Sequence, residues 1–179
     1  AGIKQYLLEV LQNNSKAISV YSKIGFTVTR EFNYFDQESK KLVLVNNNEK
    51  LDYNINNIDL SQKHNMKDFW DFIPSWQNSF SSITRSPNDF VMLGATNNEM
   101  LIGYCILAIN SGDITQIAID KAYRRKGVAT YLLRKIMRYN KCERVKAINY
   151  EVDCDNIVDF FNSVNIPLGG KQFEMIKQL

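Results

Sequence analysis

Ile114-Thr-Gln-Ile-Ala-Ile-Asp-Lys-Ala-Tyr-Arg-Arg-Lys-Gly-Val-Ala-Thr130 is the most informative run in this chain. Its first six residues read as an apolar strand. A tight turn holding Arg124, Arg125 and Lys126 follows, and Gly127 opens a long amphipathic helix over about 126–139. The first N–H groups of a helix lack intrahelical partners and carry the positive end of its dipole. An anion placed there gains charge-assisted hydrogen bonds. Gly127 has no Cβ, so a phosphate can approach the backbone, and Ala129 keeps the same face low. The run suits a pyrophosphate. A basic turn on a solvated surface is the plainer alternative. No Gly-Lys-Ser/Thr follows at P-loop spacing, and no Gly-x-Gly-x-x-Gly is present there.

Working outward, strands are expected at 90–95, 101–110 and 114–119 before the turn. After the helix come a strand at 145–152, a helix at 156–164 and a strand at 172–177. Residues 65–85 are aromatic and broken by Pro74, which predicts two short helices. Leu51–Ile58 reads as a strand, and 46–50, Asn-Asn-Asn-Glu-Lys, as a linker. Upstream, 5–12 reads as a strand, about 16–24 as a helix ended by Gly25, 26–35 as a half-buried strand, and Leu42–Val45 as a short strand. The class is α+β, a mixed sheet with helices on its faces. One weak repeat is visible. The order strand, turn, helix, strand from Leu8 to Phe26 recurs from Tyr150 to Ile166. At an offset of 140 residues Asn14 falls on Cys154, Tyr21 on Phe161 and Gly25 on Asn165.

Composition removes several function classes. The chain has 179 residues, 45% of them hydrophobic, enough for a core. No apolar run approaches the ~18 residues of a spanning helix, so no membrane partner is expected. A net charge of +3 is too weak to argue for nucleic acid. Cys105, Cys142 and Cys154 are odd in number and sit in or beside apolar segments, which reads as reduced thiols in a cytoplasmic protein. The single histidine, His64, without a Cys-x-x-Cys, supports no metal site and no Ser-His-Asp triad.

Arg124-x-x-Gly127-x-Ala129, after an apolar strand and before a Leu-rich helix, resembles the acetyl-coenzyme A motif of the GNAT superfamily of N-acetyltransferases. The order of elements over 51–179 is similar to a complete GNAT domain, with a mixed, mostly antiparallel sheet flanked by helices. Asn14-x-x-Ala17-x-x-x-Tyr21-x-x-x-Gly25-Phe26 resembles the family's second conserved segment, without the first ahead of it. The resemblance therefore implies three parts. Residues 1–45 form the C-terminal part of an incomplete GNAT domain, as in a tandem protein lacking its N-terminal part. Residues 46–50 are a linker and 51–179 a complete domain. The unpaired edges of 1–45 are expected to dock on the complete domain or on a second copy in a homodimer.

The resemblance implies transfer of an acetyl group from acetyl-coenzyme A, as co-substrate, to an amine of a small molecule or peptide. A degenerate domain that binds coenzyme or has a structural role is the alternative. Ile117, Ala118 and Ile119 are assigned to the pantetheine arm. Arg125, Lys126, Gly127, Val128, Ala129 and Thr130 are assigned to the pyrophosphate. Arg124 either supports the loop or touches ligand, and Asn156 is a coenzyme contact or a helix cap. The family's carboxylate position is Thr115 here, and its tyrosine position Phe161. Asp113, roughly 7 Å along the strand, is a candidate base through a water or else a turn residue beside Gly112. Tyr21 retains the tyrosine in the incomplete unit. Trp70, Asp71 and Trp76 lie where the family places its acceptor, with core aromatics as the alternative reading.

Overall fold

The computed structural model describes residues 2–44 and 53–179. The strands are β1 (Gln5–Leu11), β2 (Thr27–Glu38), β3 (Asn54–Asn57), β4 (Phe90–Asn97), β5 (Met100–Ala108), β6 (Asp113–Ile119), β7 (Arg144–Glu151) and β8 (Leu168–Gln178). The helices are α1 (Ser15–Lys23), α2 (Lys63–Lys67), α3 (Phe80–Arg85), α4 (Val128–Ile136) and α5 (Asp155–Ser163). Among the described residues one sheet holds all eight strands, in the order β1-β8-β2-β7-β6-β5-β4-β3. Only β6 and β7 run parallel; the other neighbours are antiparallel.

β5 is the middle of the core. Its interior residues are buried on both faces, so it reads as a continuous apolar run instead of an alternating one. Cys105 and Leu107 pack on the side of Leu132, Leu133 and Ile136 from α4. Tyr104 and Ile106 pack with Met66, Phe80 and Ile83 beneath α2 and α3. Among the described residues no helix is long and apolar enough to cross a membrane. The three cysteines are free thiols.

The N-terminal residues enter this sheet by interdigitation. β2 lies between β7 and β8, and β8 lies between β1 and β2. The unit β1–α1–β2 and the unit β7–α5–β8 therefore each straddle one strand of the other, related in topology by an approximate two-fold axis between β8 and β2. The repeat in the sequence marks this pair of units. Both helices end in the same way. The N–H of Gly25 donates to Ser22 O and that of Phe26 to Tyr21 O; the N–H of Asn165 donates to Asn162 O and that of Ile166 to Phe161 O. This is a Schellman motif each time. It requires a left-handed residue, supplied by Gly25 (φ 96°) and by Asn165 (φ 61°).

One expectation fails here, and another falls partly outside the described residues. Residues 42–44 form no strand: Val43 donates a single backbone bond to Val164 O while Leu42 and Leu44 pack on the core. Val45, the 46–50 linker and the first residues of the Leu51–Ile58 strand lie outside the described residues; the described part of that strand is Asn54–Asn57.

Candidate active site between two splayed strands

β6 and β7 touch at one register point, Asp113 opposite Lys146, and then diverge. The cause lies in β7. Asn149 has φ 64°, and the β2–β7 register slips between Asn33 and Phe35, opposite Ile148 and Asn149. An asparagine tolerates the left-handed conformation better than most residues, and a bulge of this kind bends and twists its strand. The opening leaves edge groups of both strands to be satisfied by other means. Asn78 Nδ2 donates to Ile148 O at 2.8 Å, and Gln116 Nε2 donates to Asn78 O at 2.6 Å. Tyr150 Oη donates to Ile114 O at 2.9 Å across the gap. A chain of hydrogen bonds holds Gln116 in turn: Trp70 Nε1 donates to Tyr104 Oη at 2.5 Å, and Tyr104 Oη donates to Gln116 Oε1 at 2.6 Å.

A cavity of about 390 Å³ occupies the opening. Its floor is Thr115 to Ile119 of β6. Asp120 donates its N–H to Ile102 O in β5, so by strand alternation the N–H groups of Ile117 and Ile119 point away from β5, into the gap. One end of the cavity is the turn into α4. There Arg125 (φ 61°) and Gly127 (φ 79°) are both left-handed, with Lys126 between them. Left-handed residues alternating with ordinary ones gather successive N–H groups into a concavity that binds anions. It sits at the N-terminus of α4, whose dipole adds to it.

The structure brings together most residues singled out in the sequence. Ile117, Ala118, Ile119, Arg124, Arg125, Gly127, Val128, Ala129, Thr130, Asn156, Trp70 and Asp71 all line the cavity. Lys126 does not; its ammonium lies 5.2 Å from the centre of the Tyr123 ring. Asn156 is not the helix cap, since the cap position of α5 is Cys154. Arg124 is a strut. Nε donates to Ile119 O (3.0 Å), Nη2 to Phe69 O (3.1 Å) and Nη1 to Asp71 Oδ1 (3.0 Å), with Asp71 Oδ2 at 2.9 Å. It ties the turn to the 69–71 segment and occupies the Asp71 carboxylate. Replacing the guanidinium fork by an ammonium in Arg124→Lys keeps the charge and loses two carbonyl contacts. We expect a loss of about 2 kcal/mol, read by calorimetry as a melting point lower by roughly 5 °C. An unchanged melting point with lost coenzyme binding would instead make Arg124 a ligand contact.

Three candidates lie elsewhere. Trp76 is 59% exposed and stacks with Arg85, because the turn before α3 points its neighbours Ser75 and Asn78 inward instead. Tyr21 is on α1, edge-on to Phe26, and does not line the cavity. Asp113 opens β6 at the closed end of the gap and is not part of the lining either. Its Oδ1 is buried without a partner, and burial pushes its pKa up to about 7, against the opposing pull of Lys146. Phe161 is fully buried against Phe35 and Tyr150.

Sequence reasoning missed Asn78, Tyr104, Gln116, Asn149 and Tyr150. Asn149 carried a signal, since asparagine is rare inside an apolar strand such as Val145-Lys-Ala-Ile-Asn-Tyr150.

Residues 53–159 match the family described as acetyltransferase (GNAT). No curated protein sequence matches the chain. Several solved structures share the fold at low identity. A GCN5-related N-acetyltransferase from Kribbella flavida superposes with a TM-score of 0.68 at 13% identity, covering 96% of this chain and 67% of that one. A tandem GNAT protein from the clavulanic acid biosynthesis pathway gives 0.68 at 11% identity, covering 98% and 64%. A functionally unknown conserved protein from Staphylococcus epidermidis gives 0.65 at 13% identity, covering 98% and 73%. This chain thus spans about two thirds of the length of these three. The family match covers more than half of the chain, and the splayed strands and basic turn fall inside it: this chain belongs to the GNAT acetyltransferase family.

Proposed function

We propose that the protein is an acyltransferase that moves an acetyl group from acetyl-coenzyme A to an amine of a small molecule or peptide. The observation that carries this reading is the paired left-handed residues Arg125 and Gly127 at the start of α4, opening directly onto the gap between β6 and β7. The residues present fit the coenzyme. N–H groups from Arg125 to Thr130 would hold the pyrophosphate, with the Arg125 side chain adding charge. The free edge of Ile117 and Ile119 would pair with the amide-bearing pantetheine arm as an adjoining strand does. Ile157 and Phe160 on α5 close the other wall.

When bound, the coenzyme supplies an activated thioester. The chain's own residues supply orientation and exclusion of water, with Phe72 and Tyr150 walling the cavity beside Thr115. Thr115 Oγ1 is 3.4 Å from Asp113 O and offers no carboxylate. The Tyr104 and Tyr150 hydroxyls are buried, and desolvation raises both pKa values, so both remain protonated at neutral pH. The Schellman ends and interleaved strands support a second proposal, that residues 1–45 are a duplicate of the domain's C-terminal β–α–β unit, docked on the domain formed by 51–179.

Calorimetry with coenzyme A, followed by thiol release from acetyl-coenzyme A over a panel of amines, tests the function. Binding with amine-dependent thiol release is expected. Absence of coenzyme A binding would overturn the reading.

A further inference from the structure

We infer that the acceptor is a weakly basic amine carried on an aromatic body, already free base at neutral pH, and not an alkylammonium such as a lysine or a polyamine. This rests on the acyltransferase reading above and names its substrate class.

Three observations converge. First, the cavity beyond the coenzyme-binding turn is walled by aromatic rings. Phe69, Trp70 and Tyr104 belong to one packed cluster, Phe72 and Tyr150 to the other, and all five line the cavity. Their edges and faces are already locked together, Phe69 against Tyr104 and Phe72 against Tyr150, so the walls are stiff as well as apolar. A flat aromatic body packs on such walls. Second, among the described residues the only carboxylate of the lining is Asp71, and both of its oxygens are held by Arg124. An ammonium brought into this space finds no free counter-charge, and burying an unpaired charge is unfavourable. Third, among the described residues the lining holds no histidine and no lysine, and no carboxylate besides Asp71. Thr115 is a hydroxyl, Cys154 is a thiol whose pKa burial raises, and Asp113 sits outside the lining.

A lysine-like alkylamine is less than about one part in a thousand free base at neutral pH. Without a base it would enter this site almost wholly in its unreactive form. An aromatic amine escapes that limit, because its nitrogen lone pair is free at neutral pH. The balance is then simple. The nitrogen lone pair forms a C–N bond to the thioester carbonyl carbon. The C–S bond breaks with its electron pair going to sulfur, and the proton lost by nitrogen ends on that sulfur. The products are an N-aryl acetamide and free coenzyme A.

Aniline and benzylamine share a ring and differ in basicity, so they separate the two classes. Thiol release at neutral pH from acetyl-coenzyme A is expected to show kcat/KM for aniline at least roughly tenfold above benzylamine, and spermidine is expected to be inert. A second readout needs no turnover. Trp76 points away from the cavity, so Trp76→Phe leaves Trp70 as the one tryptophan. Aniline is expected to quench Trp70 fluorescence in the presence of coenzyme A, at concentrations where benzylamine and spermidine do not. Thr115→Glu, which adds a carboxylate to the wall, is expected to shift the activity ratio toward benzylamine. Preference of the parent for benzylamine or spermidine in either readout would overturn this inference alone; it would instead make the aromatic walls a cage for a cation. Failure of coenzyme A to bind at all would overturn the acyltransferase reading, and the inference with it.

Discussion

Gly127→Glu is expected to weaken coenzyme A binding at least roughly 100-fold, a loss comparable to removing one or two charge-assisted hydrogen bonds. Three effects add. Gly127 has φ 79°, a conformation that costs a residue with a Cβ about 1 kcal/mol or more. The concavity formed with Arg125 depends on that conformation, so any relaxation turns N–H groups away from the anion. The new carboxylate then places a negative charge where phosphate is to sit, at the N-terminus of α4. Gly127→Ala separates these effects. It adds the backbone penalty without the charge, and a loss of about fivefold is expected, equivalent to about 1 kcal/mol. Gly127 is exposed, so neither change removes core packing. Titration calorimetry decides the matter, and parental affinity in the Glu variant would remove the turn from the binding site.

The turn, the strand before it and the helix after it were legible because their cause is local. An apolar strand, a basic turn and a glycine before an amphipathic helix are adjacent in the chain. The left-handed Arg125 was not, since nothing in its side chain favours that conformation; the geometry is imposed by the turn into α4. The repeat was legible as spacing, and Asn165 in place of Gly25 is intelligible afterwards, as the two residue types that enter left-handed conformations most readily. The interleaving of β2 between β7 and β8 was not, because strand order depends on pairings more than a hundred residues apart, such as Val28 with Met175. Trp76 misled for a related reason. A tryptophan beside Phe69, Trp70 and Phe72 reads as one of a set, but the turn from Ser75 to Asn78 buries two small polar residues and leaves the ring to Arg85. The polar plug of Asn78 and Gln116 was invisible for the same reason as the splay it fills: both exist only once β6 and β7 part.

Asp113→Asn is expected to stabilise the protein at pH 8 and to do so progressively less as the pH falls. The carboxyl is 7% exposed, its Oδ1 has no partner, and burial raises its pKa from 3.8 to about 7. A raised acid pKa means that the folded state holds its proton more tightly than the unfolded chain does. Between about pH 4 and pH 7 the folded state therefore binds the extra proton, and stability from this group falls as pH rises through that window. Above pH 7 the deprotonated carboxylate carries the full cost, roughly 4 kcal/mol for a shift of this size. The ion-paired carboxylates act in the opposite sense. Asp36 is held below its ordinary pKa by Arg144, and Glu38 is held at about 2 by Lys41 and Lys40, so each contributes fully above its ordinary pKa and loses that contribution as the pH falls through its folded value. Comparing parent and variant cancels those contributions. Asparagine introduces its own N–H₂ into the buried site, and that effect is the same at every pH, so the ionisation is read from the difference between pH values and not from either alone. Urea unfolding at pH 8 and pH 5 is expected to show an advantage for Asp113→Asn that is larger at pH 8 by about 2–4 kcal/mol. Parallel stability curves for parent and variant would show that the Asp113 carboxyl titrates in the folded protein as it does in water, and that Lys146 compensates its burial.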